Sequence, residues 1–229
     1  MNRSETFVSG LRLPERLPPR LAVAPVGHMR PVFIRNEVYF PIIDDQGRTG
    51  MCASYSYVGG VQAFRWRELD LVQNLDERPL YDAACVHAGQ IDPKRQKGLR
   101  LEDVLSVSDA VLPVKIATAV QITDPEDMPW FIQHYGWIYA GLNITEGWMY
   151  AGLDGRVRSG VDPISGRNYD VAVGGHAVPI AGYDLKRDMV IIPNSWGTSA
   201  GCGGLFVLTL EQFRKQFIYG YGVRFLLKS

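Results

Sequence analysis

The chain has 229 residues, 46% of them apolar and 11% aromatic, with 24 basic side chains against 24 acidic ones. That composition excludes a disordered chain, and a net charge of zero supplies no global field to recruit nucleic acid or an anionic membrane. No stretch approaches the roughly 18 uninterrupted apolar residues of a membrane span, so neither nucleic acid nor membrane is expected as a partner. Met1 to Gly27 carries Arg, Glu and four prolines without a continuous apolar run, which is not the pattern of a secretory signal. The three cysteines, Cys52, Cys85 and Cys202, are an odd number, so at least one stands outside any intrachain disulfide. No C-x-x-C occurs, and Cys85-Val-His87 alone cannot complete a tetrahedral site, so no metal and no cofactor are expected. A reducing, cytoplasmic setting is the simplest reading. Delivery within a larger particle and export without a visible address stay open.

Residues 1–35 are rich in Pro and Arg (Leu13-Pro-Glu-Arg-Leu-Pro-Pro-Arg20) and read as an extended arm, because proline fixes φ and drives its predecessor out of the helical region. From residue 52 to about 75, Ala53, Tyr57, Val61 and Phe64 recur at helical spacing and predict one buried stripe. Gly59-Gly60 inside that run costs about 1 kcal/mol per glycine against alanine, which suggests a close helix crossing. A second helix is expected near 100–111, with Leu101, Val104 and Leu105 on one face. A third begins at Asp124-Pro125, an N-cap followed by proline at the first helical position, with Met128, Ile132 and Tyr135 as its stripe.

After residue 136 the texture changes. Trp137–Ile144, Ala177–Tyr183, Met189–Ile192, Leu205–Leu208 and Val223–Leu227 are short β-branched or aromatic runs between Gly, Asp and Asn clusters, the pattern of antiparallel strands. A short helix, Leu210 to Phe217, follows Thr209, which stands three before Gln212 as in a capping box. Helices first and strands second predict a two-lobed α+β protein. The arm would cover residues 1–35 and one domain residues 36–229, with a helical lobe at about 45–125 and a β lobe at about 126–229.

Three segments carry candidate chemistry: Asp45-Gln-Gly-Arg-Thr-Gly-Met-Cys52-Ala-Ser-Tyr-Ser56, Gly174-Gly-His176-Ala-Val-Pro-Ile-Ala-Gly-Tyr183, and Asn194-Ser-Trp-Gly-Thr198. In the first, a glycine-punctuated loop delivers a cysteine to the first turn of an amphipathic helix. There, unsatisfied N–H groups and the positive end of the helix dipole favour a thiolate. Taken singly, each residue has a plainer reading: a buried cysteine, a core histidine, an asparagine in a turn, a glutamine in a polar loop. Trp130, Trp137 and Trp148 are expected in the core or between the lobes rather than as a binding platform.

Together the segments resemble the papain-like cysteine peptidases, whose motif runs Gln-Gly-x-Cys-Gly-Ser-Cys-Trp-Ala-Phe-Ser before a helix. Gln46, Gly47, Gly50, Cys52 and Ser56 match it position for position, with Tyr55 where that family has an aromatic. His176-Ala-Val, followed by Ala181-Gly-Tyr183, is similar to its His-Ala-Val and Val-Gly-Tyr, and Asn194-Ser-Trp196-Gly197 matches its Asn-Ser-Trp-Gly outright. The order Cys, His, Asn agrees, and the separation of Cys52 from His176 falls near the roughly 130–150 residues usual for such enzymes. The resemblance spans roughly residues 40–210. It implies a papain-like two-lobed fold with the site at the lobe interface, and a peptide or protein as substrate.

The roles it implies have physical reasons. Cys52 would attack the scissile carbonyl as a thiolate, with His176 beside it as an imidazolium that later protonates the leaving amine. Asn194 would orient the ring without drawing its proton away. Gln46 and the backbone N–H of Cys52 would stabilise the oxyanion. Trp196 would cover the His176–Asn194 hydrogen bond and, with Gly98, Gly174 and Gly175, line the substrate cleft. A bell-shaped pH profile is expected from the thiolate–imidazolium pair.

Several positions depart from the pattern. Thr49 replaces a cysteine that in many relatives closes a disulfide, Met51 replaces a small residue, and Ala53 replaces the tryptophan beside the nucleophile. The Gly-Cys-x-Gly-Gly segment of animal and plant members is absent, and Asp92-Pro-Lys-Arg-Gln-Lys-Gly98-Leu-Arg-Leu-Glu-Asp103 looks like the bacterial and phage-type branch. The 51 residues before Cys52 leave little room for a helical prodomain, so the arm is expected to cover part of the cleft or to dock on a partner or assembly. Two alternatives share the motifs: another acyl transfer (deamidation, transamidation or removal of a protein modifier), and a catalytically silent component of a larger assembly.

Overall fold

A computed structural model describes Leu11, residues 31–90 and residues 98–228. The first strand, β1 (Phe33–Arg35), lies in the last three residues assigned to the arm and pairs antiparallel with a strand of the second half. The arm's proline-rich stretch, 13–20, lies outside the described residues.

Three helices follow. α1 (Cys52–Leu69) buries the expected stripe of Ala53, Tyr57, Val61 and Phe64. It ends earlier than the spacing suggests because Asp70 turns left-handed at φ 53°, its N–H bonding Trp66 O at 2.8 Å. α2 (Arg78–His87) was not expected from the sequence, although Leu80, Tyr81, Ala84 and Cys85 form a buried face behind Pro79 in its first turn. α3 (Leu101–Val111) opens with the Asp103 carboxylate accepting from the Arg100 backbone N–H at 3.0 Å and from its guanidinium at 2.8 Å, and buries Leu101 and Val104.

The remaining elements are β2 (Val114–Ile122), α4 (Met128–Tyr135), β3 (Ile138–Thr145), β4 (Ala172–Ile180), β5 (Gly182–Asp184), β6 (Met189–Pro193), β7 (Leu205–Leu208), α5 (Leu210–Gln216) and β8 (Phe217–Leu227). Asp124 caps the turn before α4 by accepting from the Glu126 N–H, and Thr209 and Gln212 form the reciprocal cap of α5. Two antiparallel sheets result, ordered β1-β5-β6-β7 and β2-β8-β3-β4. β2 falls within residues 45–125 yet pairs with β8, so the sheet of the β lobe recruits a strand from the helical stretch. The single residue Ala181 joins β4 to β5, carrying the chain from one sheet into the other.

Two apolar clusters fill the molecule. One lies between α1, α2, α3 and the sheet, where Tyr57 packs on Tyr139 (5.0 Å between ring centroids) and Phe225 on Phe64 (5.3 Å). The other lies within the β half around Trp148, Trp196 and Phe206. At Gly60 α1 is crossed not by a helix but by the side chains at the start of β3: a Cβ there would stand 2.1 Å from the Tyr139 hydroxyl and 2.7 Å from Trp137 Nε1. Its partner Gly59 faces open space. Among the described residues no helix is long and apolar enough to cross a membrane.

Candidate active site

Cys52 is the first residue of α1. The loop before it is held by its own polar groups. Gly47 adopts φ 58°, its N–H bonding Asp45 Oδ1 at 2.9 Å, and Thr49 Oγ1 donates to Gln46 O at 2.7 Å. Gln46 itself is fixed at three points. Its backbone N–H donates to Ser195 O at 2.9 Å, its Oε1 accepts from Ser195 Oγ at 2.6 Å, and its Nε2 donates to Thr49 O at 2.9 Å. A carboxamide nitrogen carries two hydrogens, so one remains beyond the bond to Thr49.

His176 lies on β4 opposite Leu142 of β3, and Asn194 directly follows β6. The Asn194 Oδ1 accepts from the Ser195 N–H at 2.8 Å, which orients the amide, and it also meets His176 Nε2 at 2.9 Å. The oxygen has no hydrogen to give, so His176 carries its proton on Nε2 and the neutral ring keeps Nδ1 as its basic nitrogen. The next residue completes the connection: Ala177 N–H donates to Cys52 Sγ at 3.4 Å. A continuous polar chain therefore runs from Gln46 through Ser195, Asn194 and the His176–Ala177 segment to Cys52.

Aromatic rings close over it. Trp196, only 5% exposed, lies against the His176 ring at 5.1 Å between centroids, and Trp148 meets that ring edge-on at 6.2 Å. The Trp148 N–H is itself satisfied by Gln216 Oε1 at 2.8 Å. Cys52 and His176 are both 0% exposed. Burial pushes the His176 imidazole down to about 4, with the Asn194 hydrogen bond acting in the opposite direction. In this closed arrangement the ring is neutral at neutral pH, unlike the imidazolium implied by the family resemblance, because a buried cation lacks water.

Leu11, 6% exposed, lies between residues of the two lobes. Its N–H bonds Gly175 O at 3.4 Å, and it forms a parallel bridge with Leu99. Its side chain lies over Gly141 beside Tyr219: a Cβ on Gly141 would stand 2.6 Å from Leu11 Cδ2 and 3.0 Å from Tyr219 Cε1. Of the glycines assigned to the cleft, Gly175 makes this contact and Gly174 pairs with Ile144 on β3. Gly98 gives its carbonyl to Gln90 Nε2 at 3.3 Å, and its neighbour Leu99 contacts Leu11 instead. Sequence reasoning gave no role to Ser195 or Leu99. Ser195 sits inside a matched motif, which was signal enough, whereas Leu99 has no local signal because only its pairing with a distant residue marks it.

The other thiols are placed differently. Cys85 is buried, and burial pushes its thiol upward, while Cys202 is exposed; neither belongs to a disulfide. Trp137 is buried and donates to the Tyr139 hydroxyl at 3.1 Å, and Trp130 stacks on His134, so these rings serve packing. Among the described residues no group of three or more His, Cys, Asp or Glu side chains is arranged to hold a metal ion.

Solved structures with the same arrangement of chain are cysteine proteases. Xylellain, a cysteine protease from Xylella fastidiosa, matches with a TM-score of 0.73 at 16% identity, over 96% of this chain and 97% of that one. The fold is papain-like. A procathepsin B from Trypanosoma congolense matches with a TM-score of 0.70 at 12% identity, over 99% of this chain and 89% of that one. A cysteine protease of Carica candamarcensis, solved in complex with E-64, matches with a TM-score of 0.61 at 17% identity, over 84% of this chain and 98% of that one. No protein-family model matches the sequence, and neither does any curated protein sequence.

Proposed function

We propose that this protein is a cysteine peptidase that hydrolyses peptide bonds through a thioester on Cys52. The observation that carries this reading is the polar chain joining Gln46, Ser195, Asn194 and His176–Ala177 to the Cys52 sulfur. The papain-like fold and its protease neighbours support a peptide or protein substrate. So does Leu11, whose backbone pairs with residues of both lobes as an extended peptide does.

In this reading the Cys52 thiol gives its proton to His176 Nδ1 as Sγ bonds to the scissile carbonyl carbon. The carbonyl oxygen becomes an oxyanion, stabilised by the remaining Gln46 amide hydrogen and the N-terminal end of α1. The C–N bond then breaks, with the amine leaving as it takes the proton from His176. Water attacks the thioester, His176 receives its proton, and the sulfur departs to regain that proton. Asn194 holds the ring at Nε2 throughout, and Trp196 keeps water from that bond.

The placement in a bacterial and phage-type branch, and a reducing compartment for the chain, remain parts of this proposal. The first is supported by the near full-length match to a Xylella fastidiosa protease.

An epoxide thiol-protease inhibitor tests the reading. The folded protein is expected to be labelled, and Cys52→Ala to lose the label. Unlabelled folded protein would leave the chain a silent component of an assembly. A digest of a peptide library then separates hydrolysis from acyl transfer to another acceptor.

A further inference from the structure

Behind Gln46 lies a pair of carboxyl groups that the peptidase mechanism does not use. Glu77, at the start of α2, is 7% exposed, and its Oε1 is buried without a hydrogen-bond partner. Its side chain lies within hydrogen-bonding reach of the Asp44 carboxyl. Asp44 already accepts from Asn74 Nδ2 at 3.2 Å and from Gln62 Nε2 at 3.5 Å. Gln62 is anchored in turn, its Oε1 accepting from the Leu75 N–H at 2.6 Å. The Asp44 side chain is thereby tied to the helical lobe, to α1 and to the segment before α2.

Its backbone faces the other way. The Gly197 N–H donates to Asp44 O at 3.0 Å, Asp45 bridges Trp196, and two residues on from Asp44 the Gln46 N–H meets Ser195 O. Residues 44–46 thus form a strip with carboxyl anchors on one side and the Asn194–Gly197 turn on the other. Two carboxyls in contact, one of them buried, cannot both ionise at ordinary cost, because like charges repel strongly where water is scarce.

We propose that Glu77 is a positioning residue: it stays a neutral carboxylic acid, donates a hydrogen bond from its hydroxyl to the Asp44 carboxylate, and through that bond holds the strip carrying Gln46. Burial and the neighbouring carboxyls favour the neutral form of Glu77 and together outweigh the bond from its own backbone N–H, which favours the ionised one. Burial raises its carboxyl most, then Asp44, with Asp76 adding to them, up to about 8. Tyr55 of α1 senses the same field, its hydroxyl pushed up to about 12 by burial first and then by Glu77, Asp44, Asp45 and Asp76. The cation next in sequence, Arg78, is engaged by Asp82 at 2.7 Å.

The sign follows from linkage. An unfolded glutamate releases its proton near pH 4.3, whereas the folded one keeps it well above that. The stabilisation is therefore full below the unfolded value and is lost as pH rises through the folded one. The effect on rate rests on the peptidase reading; the effect on stability does not.

The experiment follows the thermal midpoint of the full chain between about pH 6 and about pH 9, in parallel with kcat and KM. The parent protein is expected to lose several degrees across that range. Glu77→Gln, whose amide donates at every pH, is expected to hold a constant midpoint. Glu77→Ala is expected to lower kcat about tenfold with little change in KM, and Glu77→Gln to restore it, since a displaced oxyanion donor acts on the transition state. Asp44→Asn should lessen the pH dependence of the midpoint without abolishing it, since burial still raises Glu77. The proposal is overturned if the parent and Glu77→Gln share one pH dependence of the midpoint. It is also overturned if Glu77→Gln and Glu77→Ala lose kcat equally. The midpoint series repeated on Cys52→Ala keeps this test independent of whether the sulfur is reactive.

Discussion

The two sides of the candidate site are assembled by different means. On the Cys52 side, one short loop and one helix start deliver the sulfur; the turn itself is shaped by local contacts, Gly47 to Asp45, Thr49 to Gln46 and Gln46 to Thr49, and Ser195 anchors it from outside. On the His176 side, the ring and its carboxamide come from the strand β4 and from the residue after β6, and aromatic rings from further segments cover them. The first side depends on turn chemistry and the second on sheet register and burial. Substitutions should separate the two, and the expected effects fall in a definite order.

The largest loss is expected from His176→Ala, about 10³–10⁴-fold in kcat/KM, because this ring moves every proton in the proposed sequence. Asn194→Ala should lose less, since it only orients the ring; equal losses in steady-state kinetics would break that division of labour. On the other side, Gln46→Ala should cost about 2.7–4 kcal/mol of transition-state stabilisation, read as a fall in kcat.

Acid should act on the His176 side alone. The ring's folded value near 4 lies below the ordinary 6.5, so its neutral burial is free of penalty above about pH 6.5. Below that the unfolded chain binds the proton more tightly, and up to about 3 kcal/mol of stability is lost by pH 4. Denaturant titrations at several pH values would measure this, and His176→Gln should flatten the acid limb.

Where the sides meet, Gly60→Ala would force a methyl group against Tyr139 and Trp137, at a cost of about 1–3 kcal/mol in thermal or denaturant unfolding. The smallest effect expected is a gain. Leu11→Asp should make that seat between the lobes unfavourable and raise the rate of thiol labelling about tenfold, or about 1.4 kcal/mol. An unchanged rate would mean that Leu11 does not restrict access to the sulfur.

The contrast also explains what could be read from the sequence. α1, its buried stripe and the Thr209–Gln212 cap were all legible, because each is written in spacing over a few residues. Most strands were legible as apolar runs, but β2 was not. It is an edge strand, largely exposed through its middle, and its register shifts between Ile116 and Thr118, so no clean alternation survives. α2 was missed because its buried face is short and set among charged residues such as Arg78 and Asp82. The four polar site residues were legible through motifs. The seat of Leu11 on Leu99 and the neutral His176 were not, since both depend on what distant segments bring against them.

The one-residue passage at Ala181 has a mechanical consequence. Because β4 runs straight on into β5, and β5 is paired with β6, the imidazole and its carboxamide ride on one continuous ribbon. A shift of that ribbon would carry the couple together, changing its spacing to the sulfur and loading the Ser195–Gln46 bonds at the same time. Ring and carboxamide thus move in step, and the oxyanion donor is linked to the same motion.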